Sequence, residues 1–127
     1  MICPCNSSKS FVECCGIVHE SISKVKTAEQ LMRSRYSAFV FDNMRFLRLS
    51  HAKATLGSFN FKSVSKWTKT VKWLKLEILE TQKGQILDDY GYVEFKAFFL
   101  ENGKIEYIHG KSEFIKQNDH WVYLDEL

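Results

Sequence analysis

Four cysteines lie within the first fifteen residues, as Cys3-Pro4-Cys5 and Cys14-Cys15. Thiolates are soft donors, and two close pairs joined by a short turn supply the four corners of a tetrahedral site for one metal ion. Zinc is the first expectation, with iron the alternative that an all-sulfur site also accepts. Pro4 stiffens the first pair, the polar Asn6-Ser7-Ser8 stretch suits the turn, and Lys9 offsets part of the thiolate charge. Three other readings compete. A disulfide between adjacent Cys14 and Cys15 is strained, free structural cysteines rarely crowd a terminus, and a redox pair lacks the Cys-x-x-Cys spacing. A closed four-thiolate site also leaves no coordination position open for catalysis.

The chain that must hold this cluster has 127 residues, 45% of them apolar and 14% aromatic, which suits one folded domain. No apolar run is long enough to span a bilayer, and Met1-Ile2-Cys3-Pro4-Cys5 has neither the basic nor the apolar region of a secretion signal. The expected location is the cytoplasm, with no membrane contact. Charge is uneven. From Lys24 to Lys75 twelve Lys and Arg face only Glu29 and Asp42, whereas residues 76–127 carry five basic against eleven acidic side chains. A basic half of this kind suits an acidic protein surface or nucleic acid, unless the two halves neutralise each other across the fold.

Residues 1–20 are expected as a metal knuckle and residues 24–127 as an α+β domain. Thr27-Ala28-Glu29-Gln30 reads as a capping box opening a helix over 28–41. Asp42 is expected to cap a second helix over 43–50, with Phe46, Leu47 and Leu49 inward, and a short third helix is expected over 58–66. The period then changes to two. Val71 to Thr81 reads as a strand with Leu74, Leu76 and Ile78 on one face. Tyr90 to Leu100 is a second strand with Val93, Phe95, Ala97 and Phe99 inward. Asn102-Gly103 is a hairpin signal. Strands over 104–116 and 120–125 complete an antiparallel meander.

Beyond the cysteines, the polar candidates for a site are Arg33, Arg35, Tyr36, Glu94, Lys96, His109, Ser112, Tyr123 and Asp125. A hairpin centred on Asn102-Gly103 sets Lys96 opposite His109 and Glu94 opposite Lys111. Glu94, Lys96 and His109 then share a face, either as an acid–base group or as the solvated side of a sheet. Arg33 and Arg35 cannot both lie on the buried side of one helix, and one of them is expected to reach Glu94 or Asp125 on the sheet. Phe114, Trp121 and Tyr123 are expected in the core, and His19, His51 and His120 on the surface. No phosphate loop, nucleophile elbow or His-Glu-x-x-His pattern occurs.

Taken with the cysteines, the run Thr27-Ala28-Glu29-Gln30-Leu31-Met32-Arg33-Ser34-Arg35-Tyr36-Ser37-Ala38-Phe39 resembles the YchJ family of bacterial proteins. Gly91-Tyr92-Val93-Glu94-Phe95, His109, Ser112, Phe114, Trp121, Tyr123 and Asp125 extend the likeness over nearly the whole chain. The resemblance implies a SEC-C-type metal knuckle, named for the tail of the secretion motor SecA, on a cone-shaped nuclear transport factor two-like (cystatin-like) domain. It implies no activity, because the family is uncharacterised. The knuckle of the secretion motor contacts a chaperone and the ribosome, so an adaptor for a protein or ribosomal partner is expected. The alternative is a small-molecule-binding domain or enzyme using the cone's cavity. Two departures stand out. Asn6-Ser7-Ser8 replaces the family's Gly-Ser-Gly, and Gly110 stands where an acidic residue usually follows the histidine.

Overall fold

Thr27 opens the longest helix with its hydroxyl accepting from the Gln30 amide at 3.1 Å, in a computed structural model that describes all residues from 1 to 127. The Gln30 side chain reaches back one residue further than a capping box requires, and accepts from the Lys26 amide at 2.7 Å. The first helix, α1, spans Cys15–Glu20, and the long one, α2, spans Ala28–Val40. Three short helices follow: α3 (Met44–Leu49), α4 (Lys53–Leu56) and α5 (Phe61–Thr68). The four strands β1 (Lys72–Lys83), β2 (Tyr90–Glu101), β3 (Lys104–Gln117) and β4 (His120–Glu126) form one sheet in chain order.

The helical segment departs from expectation in its details. Asn43, not Asp42, caps α3 by accepting from the Phe46 amide. Asp42 instead takes a left-handed φ of 54° that turns the chain out of α2, a conformation that Asp tolerates better than most residues. Phe46 and Leu47 are buried, but Leu49 faces solvent. The third helix expected over 58–66 starts later, at Phe61 behind the Asn60 cap, and α4 precedes it.

The sheet follows the alternation closely where it is regular. Val93, Phe95 and Ala97 of β2 are buried in the core with α2, Phe99 is buried against Trp67 and Trp73, and the β2–β3 register sets Lys96 opposite His109 and Glu94 opposite Lys111. In β1 the pairing skips Leu74 and Leu79. Each extra residue is a bulge, which reverses the alternation and bends the strand. Leu74 is therefore exposed, contrary to expectation, and Trp73 turns inward beside Leu76 and Ile78. A further bulge at Leu124 in β4 pairs Tyr123 with Phe114 but Glu126 with Ser112. These bends curve the sheet around α2 and leave a hollow between them.

Helix α2 is buried on two sides. Leu31, Met32, Tyr36 and Ala38 belong to the main core. Ser34 and Ser37, both fully buried, face residues 1–20. Small side chains there let a second layer approach the helix closely.

Candidate functional site

The cysteine segment folds as a tight loop on α2. Ile2 bridges Ser10, the Cys3 amide donates to the Lys9 carbonyl, and the Phe11 amide donates to the Met1 carbonyl. Between these rungs the chain reverses through left-handed residues, Asn6 at φ 68° and Ser8 at φ 69°. These are the two positions where the resemblance leads one to expect glycine, so the turn keeps its shape at a conformational cost. A 3-10 turn at Phe11–Glu13 then delivers Cys14 and Cys15 into the start of α1. Gly16 permits that entry, since a Cβ there would meet the Phe11 carbonyl oxygen at 2.6 Å.

The four sulfurs lie within 4.8 Å of one another, and none is in a disulfide. Sulfurs about 2.3 Å from a central ion stand about 3.8 Å apart at the corners of a tetrahedron. Cys5 and Cys14 Sγ are 3.6 Å apart, so the arrangement has the size that a metal requires. Its electrostatics point the same way. Hydrogen bonding from Cys15 pulls the Cys5 thiol down, while burial pushes Cys14 up and the Cys5 thiolate, followed by burial, pushes Cys15 up. Alone, burial and the neighbouring thiolate disfavour charge on Cys14 and Cys15; a divalent cation at the centre would favour their deprotonation. Polar groups surround it, with the Ser7 hydroxyl 3.0 Å from Cys14 Sγ and the Ser37 hydroxyl 3.5 Å from Cys3 Sγ.

Two contacts fasten the loop to the rest of the fold. Arg33, held by Glu29 at 3.0 Å, donates from Nη1 to the Cys5 carbonyl at 2.5 Å. The Asn6 side-chain oxygen accepts from the Leu76 amide at 2.8 Å. Arg33 was expected to face the cone or the sheet; its position on α2 turns it to the cysteine loop instead. His19 is not among the sulfurs. Its Nε2 contacts the Ser34 carbonyl at 2.7 Å, and its ring packs on Phe46.

The hollow between α2 and the sheet is a cavity of about 470 Å³. Of the residues expected there, Arg35, Tyr36, His109, Ser112 and Tyr123 border it, while Arg33, Glu94, Lys96 and Asp125 do not. Arg35 reaches neither Glu94 nor Asp125. It donates to the Leu47 carbonyl and the Ser50 hydroxyl, and lies over the Tyr123 ring. Although His109 borders the cavity, its Nε2 is 2.7 Å from Glu94, and this half-exposed contact faces the outer side of the sheet. The bulge at Leu124 explains the exchange of acids. Strict alternation from Tyr123 would bring Asp125 inward, but the extra residue brings Glu126, whose Oε1 accepts from Ser112. Glu126 escaped sequence reasoning, and a β-bulge leaves no clear mark in a single sequence.

His51 also departs from expectation. It is buried among Phe59, Phe61 and Tyr123, contacts the Thr55 hydroxyl, and is pulled down to about 4 by burial and then by Arg35.

Known proteins share this architecture. The family model described as the YchJ middle NTF2-like domain matches residues 27–126. A UPF0225 protein of Photorhabdus laumondii is 37% identical over 98% of this chain and 79% of its own length. One from Vibrio parahaemolyticus is 33% identical over 97% of this chain and 72% of its own length. Among solved structures, a SEC-C motif containing protein from Rhodopseudomonas palustris superposes with a TM-score of 0.87 at 26% identity, covering 100% of this chain and 98% of that one. Another, from Psychrobacter arcticus, gives 0.83 at 26% identity, covering 98% and 81%.

Proposed function

The chain belongs to the YchJ family, and on that premise we propose that it is a zinc-stabilised binding protein of the cytoplasm whose knuckle contacts a ribosomal partner. Zinc is the metal favoured by a closed set of four cysteines. One observation carries the reading of the knuckle as a contact surface. Met1, Ile2 and Val12 are 79%, 70% and 74% exposed, although the first two lie on hydrogen-bonded rungs and Val12 in the 3-10 turn that leads to Cys14. Large apolar side chains held outward on a rigid loop suit a partner better than water. No catalytic step is assigned to the metal, since four thiolates fill its coordination.

Charge favours the ribosome over an ordinary protein surface. A groove between α3 and α5 gathers Arg48, Lys62, Lys66 and Lys69, and only Lys69 has an acidic partner, Asp42. Such a face suits a polyanion, and its contribution should fall as salt rises. The test is co-sedimentation of the purified protein with purified ribosomes at low salt. Association is expected for the wild type, with loss in Ile2→Asp/Val12→Asp at unchanged metal content and loss on raising salt. Absence of association, or equal association by the double variant, counts against the proposal.

A further inference from the structure

We propose that the cavity between α2 and the sheet binds a small organic molecule with an apolar body and a single carboxylate, which Arg35 receives. Arg35 is a buried cation without an ion-pair partner, and it lies away from the knuckle. Arg35 is 4% exposed and borders the cavity. Its hydrogen bonds all leave through Nη1, to the Leu47 carbonyl at 2.9 Å and the Ser50 hydroxyl at 2.7 Å. Nε and Nη2 donate to nothing in the protein. They are not sealed in either. The side-chain polar atoms closed off from open space without a partner are Ser10 Oγ and His51 Nδ1 alone. The N–H groups of Arg35 Nε and Nη2 therefore keep open space beside them.

No carboxylate forms an ion pair with this cation, although the charge of Glu126 partly offsets it from a distance. The four ion pairs of the protein are elsewhere, and Glu126 on the cavity rim engages Ser112 instead. A buried guanidinium without a direct ion-pair partner is costly, and burial draws its pKa down to about 10 despite the opposing charge of Glu126. An incoming anion would remove that cost.

The shape of the donor set narrows the ligand. The Nε and Nη2 edge of a guanidinium is a planar fork that takes both oxygens of one carboxylate. Tyr36, buried and also without a hydrogen-bond partner, borders the same space. The remaining wall is apolar, formed by Met32, Phe39, Trp73, Phe95 and Ala97 among others. Glu126 on the rim disfavours a second negative charge, which selects a monocarboxylate over a phosphate or a dicarboxylate. The volume of about 470 Å³ lies within the usual range for small-molecule sites.

The test compares 4-phenylbutyrate and hexanoate with 4-phenylbutan-1-ol and hexan-1-ol on the full chain, by calorimetry and amide chemical shifts at pH 7. Each acid is expected to bind saturably and at least about tenfold more tightly than its alcohol, since burying an unpaired charge is what the acid avoids. Shifts should centre on Tyr36, Ala97 and Ser112. Ala97→Phe, which fills the space without touching Arg35, should abolish binding, and Arg35→Met should reduce the acids to the level of the alcohols. If Arg35→Met fails to fold, the acid-to-alcohol ratio and Ala97→Phe decide the matter. Equal affinity for acid and alcohol, shifts away from the cavity, undiminished binding by Ala97→Phe, or no saturable binding of either acid overturns the proposal.

Discussion

Arg33 and Arg35, two residues apart on α2, serve opposite sides of the helix: Arg33 holds the Cys5 carbonyl at 2.5 Å, and Arg35 borders the cavity. A two-residue step on a helix turns a side chain by about 200°. The same helix thus forms the floor of the cysteine loop and one wall of the cavity. Its small buried residues Ser34 and Ser37 lie under the loop, so the knuckle is packed on the domain rather than tethered to it.

Removing the Arg33 clamp should loosen the knuckle before it disturbs the domain. Arg33→Met loses a charge-assisted bond to a buried backbone oxygen, worth about 1.5–3 kcal/mol. The expected result is faster metal release to a chelator with little change in the amide spectrum of β2 and β3. Release at the wild-type rate would show that the clamp does not bear on the site.

The two left-handed residues of the turn should respond differently to glycine. Ser8 makes no side-chain hydrogen bond, so Ser8→Gly relieves strain and should stabilise the protein by about 1 kcal/mol. Asn6→Gly relieves the same strain but leaves the Leu76 amide without its acceptor, and should give no gain. Denaturant titration of the metal-loaded variants measures both; equal gains would remove any docking role from Asn6.

Gly16→Ala should be the most damaging conservative change in the loop. A Cβ would come within 2.6 Å of the Phe11 carbonyl oxygen, which is backbone and cannot swing aside. Separation of the 3-10 turn from α1 would move Cys14 and Cys15 apart from Cys3 and Cys5. Metal content well below that of the wild type is expected from elemental analysis, and full occupancy would contradict the packing argument.

Buried His51 makes stability depend on pH. Its folded pKa of about 4 lies below the unfolded value near 6.5, so the unfolded chain takes the proton first. Its contribution is full above about pH 6.5, is lost progressively as pH falls towards 4, and amounts to roughly 3 kcal/mol in all. His19 is shifted in the same direction by burial. The difference between wild type and His51→Phe, measured by urea unfolding at pH 7 and pH 5, isolates His51; equal pH dependence in the two would contradict its burial as a neutral group.

Local patterns were legible in the sequence, and departures from them were not. The Thr27 cap, the Asn102-Gly103 hairpin at φ 52° and 77°, and the buried face of β2 all follow from neighbouring residues. So did the four cysteines as one cluster and the opposition of Lys96 to His109. The bulges at Leu74, Leu79 and Leu124 depend on how strands pair over long range, and a single strand does not encode them. They account for the exposure of Leu74, the inward turn of Trp73 and the substitution of Glu126 for Asp125. Arg33 and His51 were misplaced for a related reason. Periodicity says which residues share a face, but not that a second layer, the cysteine loop over Arg33 or Phe59 and Phe61 over His51, will cover the other one.

The central claim is that Cys3, Cys5, Cys14 and Cys15 together hold one structural metal ion. Its most direct test is elemental analysis of the reduced, purified protein combined with X-ray absorption at the zinc edge. The account predicts one zinc per chain, bound by four sulfurs at about 2.3 Å and by no nitrogen or oxygen. Protein that is folded but contains no stoichiometric metal, or zinc with oxygen or nitrogen in place of any of the four sulfurs, would contradict it.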